Sequence, residues 1–137
     1  MFKNRIMAVA LIFALLICAV ATASESPEPK VYVILEITVN DPVMYEQYRE
    51  AVEPIIVSHG GRYVVRSGAR SFDNDPNSEV VSPEGQWYPD RIIVLEFNSK
   101  AQIQSFVNSP EYKAIVHFRH DSASTKMVVV NGYRGSP

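Results

Sequence analysis

The spacing of apolar residues changes along the chain between two regular patterns, and the order of these patterns restricts the fold more than any other feature. Apolar residues alternate with a period of two at 30–39, 62–69, 91–97 and 126–133, which is typical of strands. Between the first two segments, and again between the last two, the period lengthens to that of a helix. The resulting order, β-α-β-β-α-β, predicts an α+β, ferredoxin-like fold with a four-stranded antiparallel sheet.

Residues that favour helix ends mark the limits of the helical segments. Asp41 followed by proline predicts the N-cap and first turn of the first helix, and Gly60 followed by a second glycine predicts its C-terminus. Pro54 lies inside this helix and is expected to bend it. Two further helical stretches, 100–107 and 111–122, are separated by a Ser-Pro pair, so we expect two helices before the last strand.

The first 23 residues have the features of a signal peptide. Lys3 and Arg5 precede a nearly continuous apolar run from Ile6 to Val20, and Ala21–Ala23 matches the small-x-small pattern of a cleavage site. Because the run is shorter than the roughly 20 residues that span a bilayer, an uncleaved membrane anchor is the second interpretation. We therefore predict an exported protein, periplasmic or secreted, that is cleaved after the Ala-Thr-Ala sequence.

Removal of this segment changes the charge and the chemistry of the chain. The single cysteine, Cys18, leaves with it, so the mature chain has neither a disulfide nor a thiol. Without Lys3 and Arg5, 11 basic and 15 acidic side chains remain, a net charge of −4, which argues against nucleic-acid binding. The polar residues 24–29 predict a disordered tether, and 30–134 is the predicted folded domain, without membrane association.

The predicted domain contains, in this order, the segments "DPVMYEQYREAV", "HGGRYVVRSGA", "WYPDRIIVLEF", "SFVNSPEYKAI" and "MVVVNGY". These segments resemble the DUF1330 family, a domain of unknown function in the dimeric α/β-barrel superfamily, over nearly all of Lys30–Tyr133. The resemblance implies a homodimer in which the sheets of two subunits pair to close a barrel. It implies no reaction, although the superfamily includes cofactor-free monooxygenases, because fold is a weak guide to function.

Strand alternation assigns several charged residues to the face of the sheet that the helices leave uncovered. In the first strand the fully apolar side belongs under the helices, so Tyr32 and Glu36 lie on the other side. The same alternation puts Glu96 of the third strand on this helix-free face, together with Arg62 and Arg66 of the second. Since the first and third strands are central in this fold, we expect Glu36 and Arg66 to approach each other diagonally.

Two interpretations of the Glu36–Arg66 pair remain open. In the first, the protein binds or converts a small anionic organic molecule without a cofactor, with Arg66 as an electrostatic clamp and Glu36 as a base. In the second, the pair only specifies how two subunits associate in a non-catalytic dimer, because a buried charge needs a partner. A cavity beside Arg66 would favour the first interpretation, and a filled interface the second.

Under the first interpretation, four other residues are candidate ligand contacts: Tyr32, Glu96, Trp87 and His59. Trp87 lies near the end of the long polar segment 70–90, and loops of this length are often functional. From there it would cover the charged face of the sheet. His59 has an alternative role as a capping or packing residue, because it follows the apolar stripe of the first helix by about one turn.

His117 and His120 are the pair of side chains that comes nearest to a metal-binding pattern. They lie three residues apart and share one face of the last helix. A structural metal site usually has four ligands, and Asp121 is the only further candidate close in sequence. We therefore predict a solvated basic face, shared with Lys113, and no metal site.

Overall fold

The computed structural model describes residues 28–68, 80–87 and 89–134. The predicted signal peptide at 1–23 and residues 24–27 of the predicted tether lie outside the described residues. The elements are β1 (Val31–Val39), α1 (Pro42–Ser58), β2 (Arg62–Gly68), β3 (Arg91–Phe97), α2 (Lys100–Asn108), α3 (Pro110–Ser122) and β4 (Ala123–Asn131). This order confirms the α+β prediction, with the second helical region divided into α2 and α3.

The four strands form one antiparallel sheet in the order β2-β3-β1-β4. This order confirms that the first and third strands are central. Val31 at the start of β1 lies opposite Phe97 in β3 and opposite Asn131 in β4. The sheet of one chain is open, with β2 and β4 at its edges, so closure into a barrel needs a second subunit and remains a prediction.

The core lies between one face of the sheet and the helices. Every second residue of β1 and of β3 is buried, while most of the residues between them are only half buried, as the alternation predicted. Burial of one large apolar side chain contributes roughly 1.5–3 kcal/mol, so this layer is the main favourable contribution to folding. The buried cluster comprises Val33, Leu35, Ile37, Tyr45, Tyr48, Val52, Ile56, Ile93, Leu95, Phe97, Phe106 and Tyr112.

The ends of α1 follow from its capping residues. The Asp41 carboxylate accepts hydrogen bonds from the backbone N–H groups of Val43 and Met44 at 3.0 and 3.1 Å, which confirms it as the N-cap. The helix continues through Pro54. Gly60 follows the helix with φ 78°, in the left-handed region that glycine adopts most easily.

The last strand differs from its predicted limits. β4 begins at Ala123, three residues before the predicted start, because it follows directly after the end of α3. Side chains 127–130 are all exposed, although successive residues point to opposite faces. β4 is an edge strand that packs mainly against β1. In the single chain it therefore leaves a continuous apolar segment uncovered.

Candidate functional site on the helix-free face of the sheet

Glu36 lies near the middle of β1, opposite Ile92 in β3 and Lys126 in β4. The Lys126 Nζ atom is 3.4 Å from one carboxylate oxygen of Glu36 and 3.5 Å from the other. The Glu36 side chain is only 22% exposed, whereas that of Lys126 is almost fully exposed. Glu36 therefore has a basic partner in a neighbouring strand of the same chain, and this partner is a lysine.

A second charged cluster lies on the same face, toward the start of β1. Tyr32 and Arg62 both lie opposite Glu96, one in each strand beside β3. The Arg62 Nε and Nη2 groups donate to the two oxygens of Glu96 at 3.0 and 3.1 Å, the bidentate geometry of a strong arginine–carboxylate pair. The hydrogen bond from Arg62 lowers the pKa of Glu96. Burial raises the pKa of Tyr32, and the hydrogen bond to Glu96 raises it further by a smaller amount. Tyr32 is therefore a neutral donor.

An open groove of about 310 Å³ runs along β1 and β4 on this face. Its lining is mostly apolar and includes Ile34, Met127 and Val128 beside the Glu36–Lys126 pair. The indole of Trp87, which is 54% exposed, forms another part of the wall. The structure therefore brings together two of the predicted site residues, Glu36 and Trp87, in one concave surface.

A bulge in β2 moves the side chains in the second half of that strand to the opposite face of the sheet. Tyr63 lies opposite Leu95, whereas Val65 lies opposite the adjacent Val94, so Val64 is an extra residue in the ladder. Because side chains alternate with a period of two, one extra residue moves every later side chain to the other face. Val65 therefore faces the helix-free side, although the alternation predicted it under the helices.

Arg66 follows the bulge and lies on the helix side of the sheet, opposite Ile93. Its Nη1 atom is 2.8 Å from the Glu53 Oε2 atom of α1, and its guanidinium carbon lies 5.1 Å from the Tyr63 ring centroid. The predicted approach of Glu36 and Arg66 is therefore wrong. The two residues lie on opposite faces, and they do not form one site.

His59 also lies on the helix side. It is the C-cap residue of α1, its Nδ1 atom is 3.0 Å from the Ser105 hydroxyl, and its ring centroid is 6.2 Å from that of Phe106. Both contacts are with α2, so His59 does not join Glu36 and Trp87. These contacts agree with the capping and packing alternative.

Neither a metal cluster nor a membrane span is present in the part of the chain that the structure describes. Within ranges 28–68, 80–87 and 89–134, no three or more His, Cys, Asp or Glu side chains are grouped closely enough to hold a metal ion. The Nε2 atom of His120 lies 3.1 Å from the Arg119 guanidinium. No helix in these ranges is long and apolar enough to cross a bilayer.

A group of arginines on the helix side of the sheet was not predicted from the sequence. A small cavity between α1 and the sheet is lined by four of them: Arg49, Arg66, Arg91 and Arg119. Arg91 is only 1% exposed and lies two residues before Ile93, in phase with the buried side of β3. An arginine that continues an apolar alternation was the available signal for this buried cationic cluster.

Comparisons with known proteins agree with the observed architecture. Residues 30–133 match the family described as Domain of unknown function (DUF1330). A search of curated proteins finds no significant match.

Two solved structures illustrate the similarity of fold. RPA0582, a protein of unknown function from Rhodopseudomonas palustris, has a TM-score of 0.61 and 13% identity over 79% of this chain and 85% of that chain. SnoaB, a cofactor-independent oxygenase from Streptomyces nogalater, has a TM-score of 0.53 and 9% identity over 80% of this chain and 98% of that chain. At these identities the similarity establishes the fold and not the activity.

Proposed function

The chain belongs to the DUF1330 family, and on this premise we propose that it forms a homodimer that pairs the helix-free faces of two sheets and binds a small, largely apolar molecule between them. One observation supports this proposal most directly. The helix-free face has apolar side chains on all four strands, among them Ile34, Val65, Val94 and Val128, while the helices cover the other face. A contiguous apolar face of this kind usually marks an interaction surface.

The charged residues of this face are compatible with its burial. Glu36 pairs with Lys126, and Glu96 pairs with Arg62, within the same chain. A charge buried without a partner costs several kcal/mol, and a cation that stays beside the carboxylate offsets part of this cost. A second sheet can therefore cover the face without separating either carboxylate from its cation.

The groove beside Trp87 is the proposed ligand site. Its volume of about 310 Å³ is at the lower end of the roughly 300–1,000 Å³ found for small-molecule pockets. The anionic ligand predicted from the sequence depended on Arg66, which lies on the other face. In this groove the Lys126 charge is already paired with Glu36, so we propose an apolar, planar molecule that contacts Trp87.

The proposal has two further parts, which are conversion of the ligand without a cofactor and export of the domain. The description of SnoaB as a cofactor-independent oxygenase supports the first part. The features of residues 1–23 support export of the domain after cleavage.

A second candidate function is a non-catalytic dimer in which the charged pairs only set the alignment of the subunits. The observation in its favour is that Glu36 and Glu96 already have basic partners in the same chain. In this arrangement neither Glu36 nor Glu96 is left to bind a ligand.

The oligomeric state tests the dimer that both candidates share. Sedimentation equilibrium of the mature protein at micromolar concentration should report a dimer. Ile34→Asp, on the helix-free face, should dissociate it, because the new carboxylate would be buried without a partner. Val43→Asp is the matched control, since Val43 is an exposed valine of α1. A monomeric wild-type protein would refute the proposal.

Ligand binding separates the two candidates. Trp87 is the only tryptophan of the chain, so its fluorescence reports directly on the groove. The neutral probe N-phenyl-1-naphthylamine should quench this fluorescence by energy transfer and saturate near one probe per subunit. Ile34→Ala should weaken the probe's binding, whereas Val57→Ala on the exposed side of α1 should not. A wild-type dimer that binds no probe would favour the non-catalytic candidate.

A further inference from the structure

We propose that the cavity on the helix side of the sheet binds a small oxyanion, such as the carboxylate group of an organic acid. This cavity and the groove lie on opposite faces of the sheet, so the proposal does not depend on the dimer. The cavity on the helix side has a volume of about 30 Å³, which accommodates about two water molecules or one carboxylate-sized group. The remainder of a larger ligand would extend toward the partly open side of the cavity.

Four arginines line this cavity, and each comes from a different element of the fold. Arginine remains protonated at every physiological pH. Arg49 pairs with Glu46 of the same helix, and Arg66 pairs with Glu53; all four side chains are partly exposed. Arg91 lies deeper, at 1% exposure, with its guanidinium carbon 5.5 Å from the ring centroid of Tyr45.

The surroundings of Arg119 provide the main argument for an anion. This residue is 6% exposed, and its Nη2 group lies 3.2 Å from the Tyr112 hydroxyl and 3.1 Å from His120 Nε2. Its guanidinium carbon lies 5.7 Å from the ring centroid of Tyr48. None of these groups is a carboxylate, and the Arg119 Nε group has no hydrogen-bond acceptor among residues 28–68, 80–87 and 89–134. An oxyanion in the cavity would supply both the acceptor and a compensating charge.

Three tyrosines complete the polar lining: Tyr45, Tyr48 and Tyr63. Burial raises the pKa of each, in the case of Tyr63 to about 12. Their hydroxyl groups therefore remain protonated at neutral pH, and they cannot act as counter-ions for Arg119. A neutral phenol can instead donate a hydrogen bond to an anion. The cavity thus combines charged and neutral donors, which is the chemistry that recognises a carboxylate or phosphate oxygen.

Thermal unfolding of the mature protein tests this inference. Sodium benzoate and inorganic phosphate are titrated separately, each against sodium chloride at equal ionic strength. An anion that binds only the folded protein raises Tm as its concentration increases. We expect benzoate, phosphate or both to raise Tm beyond the effect of chloride, and the better probe identifies an organic or an inorganic oxyanion. No specific rise with either anion would overturn the proposal.

Variants then locate the binding site. Arg119→Leu should raise the anion concentration needed to reach a given Tm shift by roughly 10- to 100-fold, the typical contribution of a hydrogen bond to a charged group. Arg134→Leu is the matched control, because Arg134 is an exposed arginine beyond β4, and it should respond like the wild type. An unchanged response of Arg119→Leu would also overturn the proposal.

A crystallographic measurement keeps the test independent of whether Arg119→Leu folds. Wild-type crystals are soaked with 4-iodobenzoate, whose iodine is located by anomalous scattering. A bound molecule with its carboxylate within hydrogen-bond distance of Arg119 supports the proposal. Iodine found only on the outer surface or on the helix-free face contradicts it.

Discussion

The Arg66 Nη1 atom lies 2.8 Å from the Glu53 Oε2 atom, so this ion pair joins β2 to α1 on the helix side of the sheet. Simple strand alternation places Arg66 on the opposite face, near Glu36. The extra residue Val64 in the β2–β3 ladder accounts for the difference, since it reverses the direction of all later side chains. Arg66 therefore connects the sheet to α1 and does not contact Glu36 of β1.

A double-mutant cycle should detect this pairing. We expect Arg66→Ala and Glu53→Ala to show a coupling free energy of about 0.2–1 kcal/mol, because both side chains are partly exposed. Arg66→Ala and Glu36→Ala should be additive to within about 0.3–0.5 kcal/mol. Urea unfolding of the single and double variants provides the measurement. A larger coupling of Arg66 with Glu36 than with Glu53 would contradict the bulge.

Glu96 should contribute to stability in a pH-dependent way. The hydrogen bond from Arg62 lowers its pKa from the ordinary 4.5. A carboxylate with a lowered pKa stabilises the folded protein above its unfolded pKa, and this contribution is lost as the pH falls through the folded value. Glu96→Gln should therefore cost about 1 kcal/mol or less at pH 7.

The difference between Glu96→Gln and the wild type should shrink as the pH falls from about 5 to about 3. Urea unfolding at several pH values within this range measures the difference. A cost that does not change with pH would show that Arg62 does not lower the pKa of the Glu96 carboxylate. Asp41→Asn, at the exposed N-cap of α1, is a control for carboxylate removal outside this pair.

Gly61 should tolerate no side chain. A Cβ atom at this position would lie 2.4 Å from Phe97 Cε1 and 2.8 Å from Ile56 Cγ2, and Phe97 is fully buried. Gly61→Ala should therefore destabilise the protein by about 1–3 kcal/mol through overpacking. If the clash with Phe97 is the cause, Gly61→Ala combined with Phe97→Leu should lose less than the sum of the two single variants. Thermal melts of the three variants check this outcome.

Export gives a prediction that concerns the N-terminus of the mature protein. If the Ala-Thr-Ala sequence is the cleavage site, intact-mass analysis of the exported protein should show a chain that begins at Ser24. Ala23→Leu should slow cleavage, because signal peptidase requires a small residue there. Recovery of the full-length wild-type chain in the membrane fraction would support the anchor interpretation instead.

The order of strands and helices was predictable because it depends on local features of the chain. The alternation in β1 and β3 identified their buried faces, and Asp41 and Gly60 marked the ends of α1. The pairing of first and third strands then followed from the class of fold. For the candidate site, the same local reasoning placed Glu36 and Glu96 on the helix-free face, where the structure has them.

The sequence by itself determined which segments are strands and helices, whereas only the tertiary structure decided which charged side chains meet. The segment around Val64 is rich in residues that suit either face of a sheet, so nothing local indicates the extra residue in the ladder. Its position depends on how β2 pairs with β3, and the face of Arg66 depends on that position. The arginine cavity likewise combines side chains from α1, β2, β3 and α3 that are far apart in the chain. Contacts of this kind arise from packing, which the periodicity of a single segment does not specify.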